Sequence, residues 1–117
     1  MFKVKKYDIL LVDFGNNTIE SEQSGIRPSV VIQNDVGNHY SSTTIVMPLT
    51  SKNKNLGQST HTLIRRGAEK GLTCDSIALA ECMRQISKNR IIRYLGKITD
   101  EYEKNEIRRI YEASFGE

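Results

Sequence analysis

At 117 residues, with 38% hydrophobic and 26% charged side chains, the chain is sized for one hydrophobic core and is too apolar for intrinsic disorder. A formal net charge of +3 permits a polyanionic partner without requiring one, and two cysteines with seven residues between them form neither a disulfide framework nor a C-x-x-C metal site. The longest apolar run, 9–12, is too short to span a bilayer, and M-F-K-V-K-K at 1–6 lacks a signal peptide's apolar segment. The expectation is a cytoplasmic chain, one domain over 1–117, with Cys74 and Cys82 as free buried thiols.

Residues 7–14 (Y-D-I-L-L-V-D-F) are rich in β-branched and aromatic side chains and stop at Gly15-Asn16-Asn17, which predicts a strand and a turn. A proline opens a second strand, 28–33 (P-S-V-V-I-Q). A polar loop at 34–42 has room for one helical turn before a third strand over 43–50, where Pro48 suggests an edge or a bulge. Residues 51–60 (S-K-N-K-N-L-G-Q-S-T) read as a loop carrying Lys52 and Lys54. A fourth strand over 61–65 and a turn over 67–75 follow. Segment 76–84 (S-I-A-L-A-E-C-M-R) mixes helix and strand formers and is read as strand from its length and neighbours.

Ser87 is placed to cap a helical turn over 88–90, and 91–98 gives a last strand. Asp100 and Glu103 have capping-box spacing, and Ile107, Ile110, Tyr111 and Phe115 recur three or four apart, which predicts a C-terminal helix with those four on one face. The fold class expected is mainly β with short helices (α+β), a small barrel-like sheet covered by that helix.

No G-x-S-x-G elbow, G-x-x-x-x-G-K-[ST] loop or G-x-G-x-x-G fingerprint is present. The only histidines, His39 and His61, have no reason in sequence to meet, and ordinary surface or hinge positions account for them better than an acid-base pair. The stretch S-E-Q-S-G-I-R-P at 21–28 is more informative. Arg27 precedes a proline, which biases it to extended backbone on a rigid strand, where a guanidinium can grip phosphate in a bidentate manner. Glu22, five residues earlier, can return as a base or as an orienting partner; a surface ion pair fits the spacing equally well. Thr50 lies where the third strand enters the Lys52 loop and can donate to the same anion. Arg84, Lys88, Arg90 and Arg93 form a second basic cluster that suits a nucleic acid backbone or a solvated face.

The motifs Y-D-I-L-L-V-D-F, S-E-Q-S-G-I-R-P, V-V-I-Q-N-D-V-G-N, P-L-T-S, S-T-H-T and D-S-I-A-L-A-E, in that order, resemble the MazF/PemK family of toxin endoribonucleases over nearly the whole chain. The resemblance implies a compact SH3-like (CcdB-like) barrel with a C-terminal helix, acting as a homodimer. It implies metal-independent cleavage of single-stranded RNA with no cofactor, and neutralisation by a small acidic, MazE-like antitoxin. The family's catalytic arginine falls on Arg27, its catalytic threonine on Thr50, and its S-E-Q loop on Ser21, Glu22 and Gln23. Arg27 is expected to stabilise charge and Glu22 to accept a proton or orient Arg27. Phe14, Ser21, Gln23, Lys52, Cys82, Arg84 and Gln85 are expected to contact substrate. The chain departs from the family at A-E-C-M-R-Q-I (80–86), where Cys82 replaces a usual glutamine and Gln85 a common threonine. Glu20 and Ser24 stand for glycines. These changes bear on which bases are read. Two readings from other classes stand beside it: a CcdB-type toxin that binds DNA gyrase, and a non-catalytic RNA-binding barrel.

Overall fold

The computed structural model describes residues 3–15, 24–52 and 54–115. Its elements run β1 (Asp8–Asp13), β2 (Ile26–Val31), α1 (Asp35–Tyr40), β3 (Thr43–Thr50), β4 (His61–Ile64), β5 (Ser76–Leu79), β6 (Arg84–Ser87), β7 (Ile91–Lys97) and α2 (Glu101–Ala113). All strand pairs are antiparallel, in the order β4-β5-β3-β2-β1-β7, with β6 on β3 as well. The expected mainly β fold with a terminal helix is present, but the barrel is not closed: among the described residues no ladder joins β4 to β7. A 3₁₀ turn, Ala68–Lys70, packs against β7 instead. That contact requires two glycines, since a Cβ on Gly96 would meet the Glu69 carbonyl and one on Gly71, at φ 68°, would meet the Leu95 carbonyl.

The bent sheet buries both faces. On the helix side Ile9, Val30, Met47, Leu49 and Ile64 pack with Ile107 and Ile110 of α2. On the other side Leu10, Val12, Phe14, Val31, Val46 and Ile86 form a second core closed by Val4. Alternation therefore assigns the residues of β1 to β5 to one core or the other, while β6 leaves Gln85 and Ser87 to solvent and β7 is largely exposed.

Segment 76–84 is a correction to the sequence reading. It is not one strand: Ala80–Cys82 forms a 3₁₀ turn, so β5 pairs with Leu49 and Thr50 of β3 while β6 pairs with Thr43 to Val46. Pro48 is likewise not at a sheet edge. It sits in a central strand, opposite Ser29 of β2. Ile32 N–H donates to the Ile45 carbonyl, so odd residues of β3 turn their backbone groups to β2 and even residues to the β5/β6 edge. The missing Pro48 N–H thus falls in the gap between β6 and β5, where no partner is registered.

Helix α2 is capped as expected, with Asp100 accepting from Glu103 N–H at 3.3 Å. The reciprocal half of the capping box is not made: the Glu103 carboxylate is buried, 2.7 Å from Lys70 Nζ and accepting from Arg65 N–H at 3.0 Å. Ile107 and Ile110 are buried, but Tyr111 and Phe115 are exposed and pack edge-to-face on each other at 5.1 Å, so the apolar stripe is narrower than its spacing implied. Cys74 is exposed rather than buried; Cys82 is half-buried, and no disulfide joins them.

Candidate active site

The ladder between β2 and β3 ends at Ser29 and Pro48. Continued by two residues, that register sets Arg27 opposite Thr50, but there β3 leaves β2 to pair with β5 and the strands fork. Arg27 pairs with Val12 of the second core, and Thr50 alternates in phase with Val46 of the same core, so both side chains belong to one face. Arg27 Nε donates to the Ser24 carbonyl at 2.8 Å, which fixes the guanidinium; among the described residues its terminal nitrogens have no partner. Thr50 is buried and its Oγ1 accepts from Lys52 N–H at 3.1 Å, leaving its O–H to donate. Two residues along β2 on the same face, opposite Pro48, lies Ser29, fully buried, its Oγ without a hydrogen-bond partner among the described residues.

Two more arginines gather at this end. Arg84 lies over the Phe14 ring, 5.4 Å from its centroid, and Arg90 packs against Gly15. Neither they nor Arg27 joins an ion pair among the described residues. On the helix side, the fork opens as a cleft of about 260 Å³ lined by Arg27, Pro28, Leu49, Ser51, Cys74 and Ser76. A larger cavity of about 520 Å³, lined by Lys6, Gln33, Arg108 and Tyr111, lies past the other end of β2 from Arg27. It is lined by Ile32, Gln33, Asn34 and Gly37 of the V-V-I-Q-N-D-V-G-N motif but by none of the candidate catalytic or substrate-contacting residues, so the candidate site is the fork.

The remaining sequence candidates divide. Ser21, Glu22 and Gln23 lie outside the described residues; the chain around them is closed by Gly25 N–H donating to the Gly15 carbonyl at 2.7 Å. Lys52 is exposed beside Thr50, and Cys82 lies in the 3₁₀ turn that bridges β5 and β6. Phe14 is only 5% exposed and covered by Arg84, so it supports that arginine rather than offering a face for base stacking. Gln85 alternates to the opposite face from Arg84 and donates to Thr43 Oγ1 at 2.8 Å. It pairs with Ile45, five residues and about 17 Å along β3 from Thr50. The two histidines stay apart, as expected, but His61 is not a surface residue: it is 4% exposed and bonded through both ring nitrogens. His39 lies at the end of α1, packed edge-on against Tyr40 at 4.5 Å.

Among the described residues no three His, Cys, Asp or Glu side chains converge as metal ligands, and no helix is long and apolar enough to cross a membrane. The fold and the fork define a small β protein that sets Arg27, without an ion-pair partner among the described residues, opposite a buried threonine, with Arg84 and Arg90 at Phe14 and Gly15. Residues 5–112 match the family described as "PemK-like, MazF-like toxin of type II toxin-antitoxin system". The chain belongs to that family, a placement that does not favour the gyrase-binding alternative. It is 37% identical to an endoribonuclease MazF of Staphylococcus saprophyticus over 97% of this chain and 92% of that one. It is 38% identical to an endoribonuclease EndoA of Bacillus subtilis over 84% and 83%. In fold it is similar to a crystal structure of MazF from Deinococcus radiodurans, with a TM-score of 0.82 at 17% identity and full coverage of both chains. A mycobacterial endoribonuclease in complex with its cognate antitoxin gives 0.77 at 18% identity, over 97% of this chain and 95% of that one.

Proposed function

We propose that this chain is the toxin of a type II toxin-antitoxin pair and acts in the cytoplasm as an endoribonuclease on single-stranded RNA. Its curated relatives are named endoribonucleases, and a mycobacterial neighbour in fold was solved with its antitoxin. A homodimer, and a small acidic antitoxin that covers the RNA face, complete the reading. The observation that carries the site is the fork: the β2/β3 register sets a fixed guanidinium, its terminal nitrogens unpaired among the described residues, opposite a buried hydroxyl on one sheet face, with Arg84 and Arg90 at Phe14 and Gly15.

In this reading the ribose 2′-hydroxyl attacks the adjacent phosphorus, and the 5′-oxygen leaves. The products are a 2′,3′-cyclic phosphate and a 5′-hydroxyl, so DNA, lacking the nucleophile, is inert. Charge on the pentavalent phosphorane is met by the terminal nitrogens of Arg27 and the Thr50 hydroxyl. Such preorganised donors supply the largest single contribution in comparable reactions, about 10²–10³-fold for each donor removed. An arginine is too weak an acid to give up its proton readily, which leaves Glu22 to accept the proton of the 2′-hydroxyl, while the departing 5′-oxygen takes a proton from solvent to become the 5′-hydroxyl.

Cleavage of a long transcript with end-group analysis tests this. The expected result is cyclic-phosphate and 5′-hydroxyl ends, lost by about 10²–10³-fold in Arg27→Ala and in Thr50→Val, with both variants folded. Full activity in both variants sinks the assignment.

A further inference from the structure

His61 opens β4 with its ring buried. Nδ1 lies 2.7 Å from the Asn55 carbonyl oxygen, and Nε2 lies 2.7 Å from Glu81 Oε2. Both partners are acceptors. A neutral imidazole carries one N–H and would set its other lone pair against an oxygen at that distance; only the imidazolium donates to both. Burial works to raise the Glu81 carboxyl, but hydrogen bonds from His61, its own backbone and Thr60 outweigh it and hold the group below its ordinary value, so it is present as the accepting carboxylate.

These two bonds join two segments. The Asn55 carbonyl also accepts from Gln58 N–H, Gly57 N–H donates to Asn55 Oδ1, and His61 N–H donates to the Gln58 carbonyl, so the end of the 51–60 loop is wound around the ring. Glu81 belongs to the 3₁₀ turn Ala80–Cys82, whose Ala80 N–H donates to the Thr60 carbonyl. One segment leaves the site at Thr50 and carries Lys52; the other carries Cys82 and leads to Arg84. From α2, Arg109 reaches the His61 carbonyl at 3.4 Å and pairs with Glu106 at 2.9 Å, and Glu106 accepts from Thr62. From β5 the registered partner is Leu79. Glu81, Arg109 and Glu106 are the charged groups around the ring.

We infer that His61 is a positioning residue: as a doubly donating imidazolium it clamps the 51–60 loop to the Ala80–Cys82 turn and sets the spacing of the two segments that flank Thr50. The clamp stands on geometry alone; its effect on RNA rests on the endoribonuclease reading above. Loss of the ring proton removes one of the two bonds, which loosens RNA binding without touching the reacting atoms.

The test measures kcat and KM for an RNA oligonucleotide across pH 5.5–8.5, with imidazole ¹⁵N shifts of the resting protein. Both ring nitrogens are expected to be protonated at the acidic end. There His61→Gln should raise KM about tenfold, the scale of one charged hydrogen bond, with kcat within about twofold. Glu81→Gln, on the half-exposed partner, leaves the buried ring in place and should also raise KM. Added to His61→Gln it should cost little more, because one clamp is lost once. A singly protonated ring at the acidic end, an unchanged KM in His61→Gln, or additive effects overturn the proposal. If the wild-type chain cuts no RNA, the functional reading falls. The clamp is then judged by the ring shifts and by amide exchange over 54–60, which must quicken in Glu81→Gln.

Discussion

The N-terminal end of α2 and the forked end of β2 treat charge in opposite ways. Where α2 starts, Lys70 and Glu103 are buried and paired: the ammonium holds both the carboxylate and the Arg65 carbonyl, and the carboxylate takes the Arg65 amide. At the fork, Arg27, Arg84 and Arg90 have no carboxylate among the described residues, and backbone pairing between β2 and β3 has been given up. A charge paired with its own chain organises the fold. One left unpaired at a splayed ladder is available to a ligand, and like charges held together there favour a polyanion.

Substitutions at the two ends should separate stability from activity. Lys70→Met leaves Glu103 buried without its counter-ion and should cost about 3–5 kcal/mol, seen as a large drop in Tm, while the folded fraction cuts RNA normally. Adding Glu103→Gln, which still accepts from Arg65, should recover part of that loss. Arg27→Ala should do the reverse, abolishing cleavage with Tm within a few degrees of wild type. If it unfolded the chain as Lys70→Met does, the contrast between the ends would collapse. Arg84→Ala should weaken RNA binding several-fold and reduce the salt dependence by about 0.7 in log-log slope, as expected for one phosphate contact on a single strand. An unchanged slope would make Arg84 a cover for Phe14 and nothing more.

The smallest effect concerns acid. Glu106 is held below its ordinary 4.5 chiefly by the Arg109 hydrogen bond, and Glu81 by His61 against the opposing pull of burial. Both values are lower in the folded chain, so their contribution is full above about pH 4.5 and disappears as pH falls through the folded values. Tm should decline on that side, and less steeply in Glu81→Gln than in wild type.

Local signals in the sequence carried most of the framework. The Asp100 cap, the β-branched runs and the 51–60 loop each depend on near neighbours, and each is present where expected. What was hidden depends on pairings far along the chain. Nothing near Glu103 announces Lys70, and nothing near His61 announces Glu81, twenty residues on, because the β4/β5 register creates that contact. The 76–84 segment was misread because its turn answers to the strand beside it rather than to its own composition. At the site, Arg27 and Thr50 were legible as motifs. Their meeting across a fork, and the withdrawal of Phe14 and Gln85 from it, follow only from the ladder.

Pro48 has a further consequence. Because it offers no amide to the edge where β5 gives way to β6, those two strands would gain one hydrogen bond fewer by fusing into one. The frame is insulated from its own turn. Within the turn Ala80 is held in the core and Glu81 holds His61, so sequence drift without register slip is open at half-buried Cys82, a position where a lineage can change what the surface recognises while keeping how it folds.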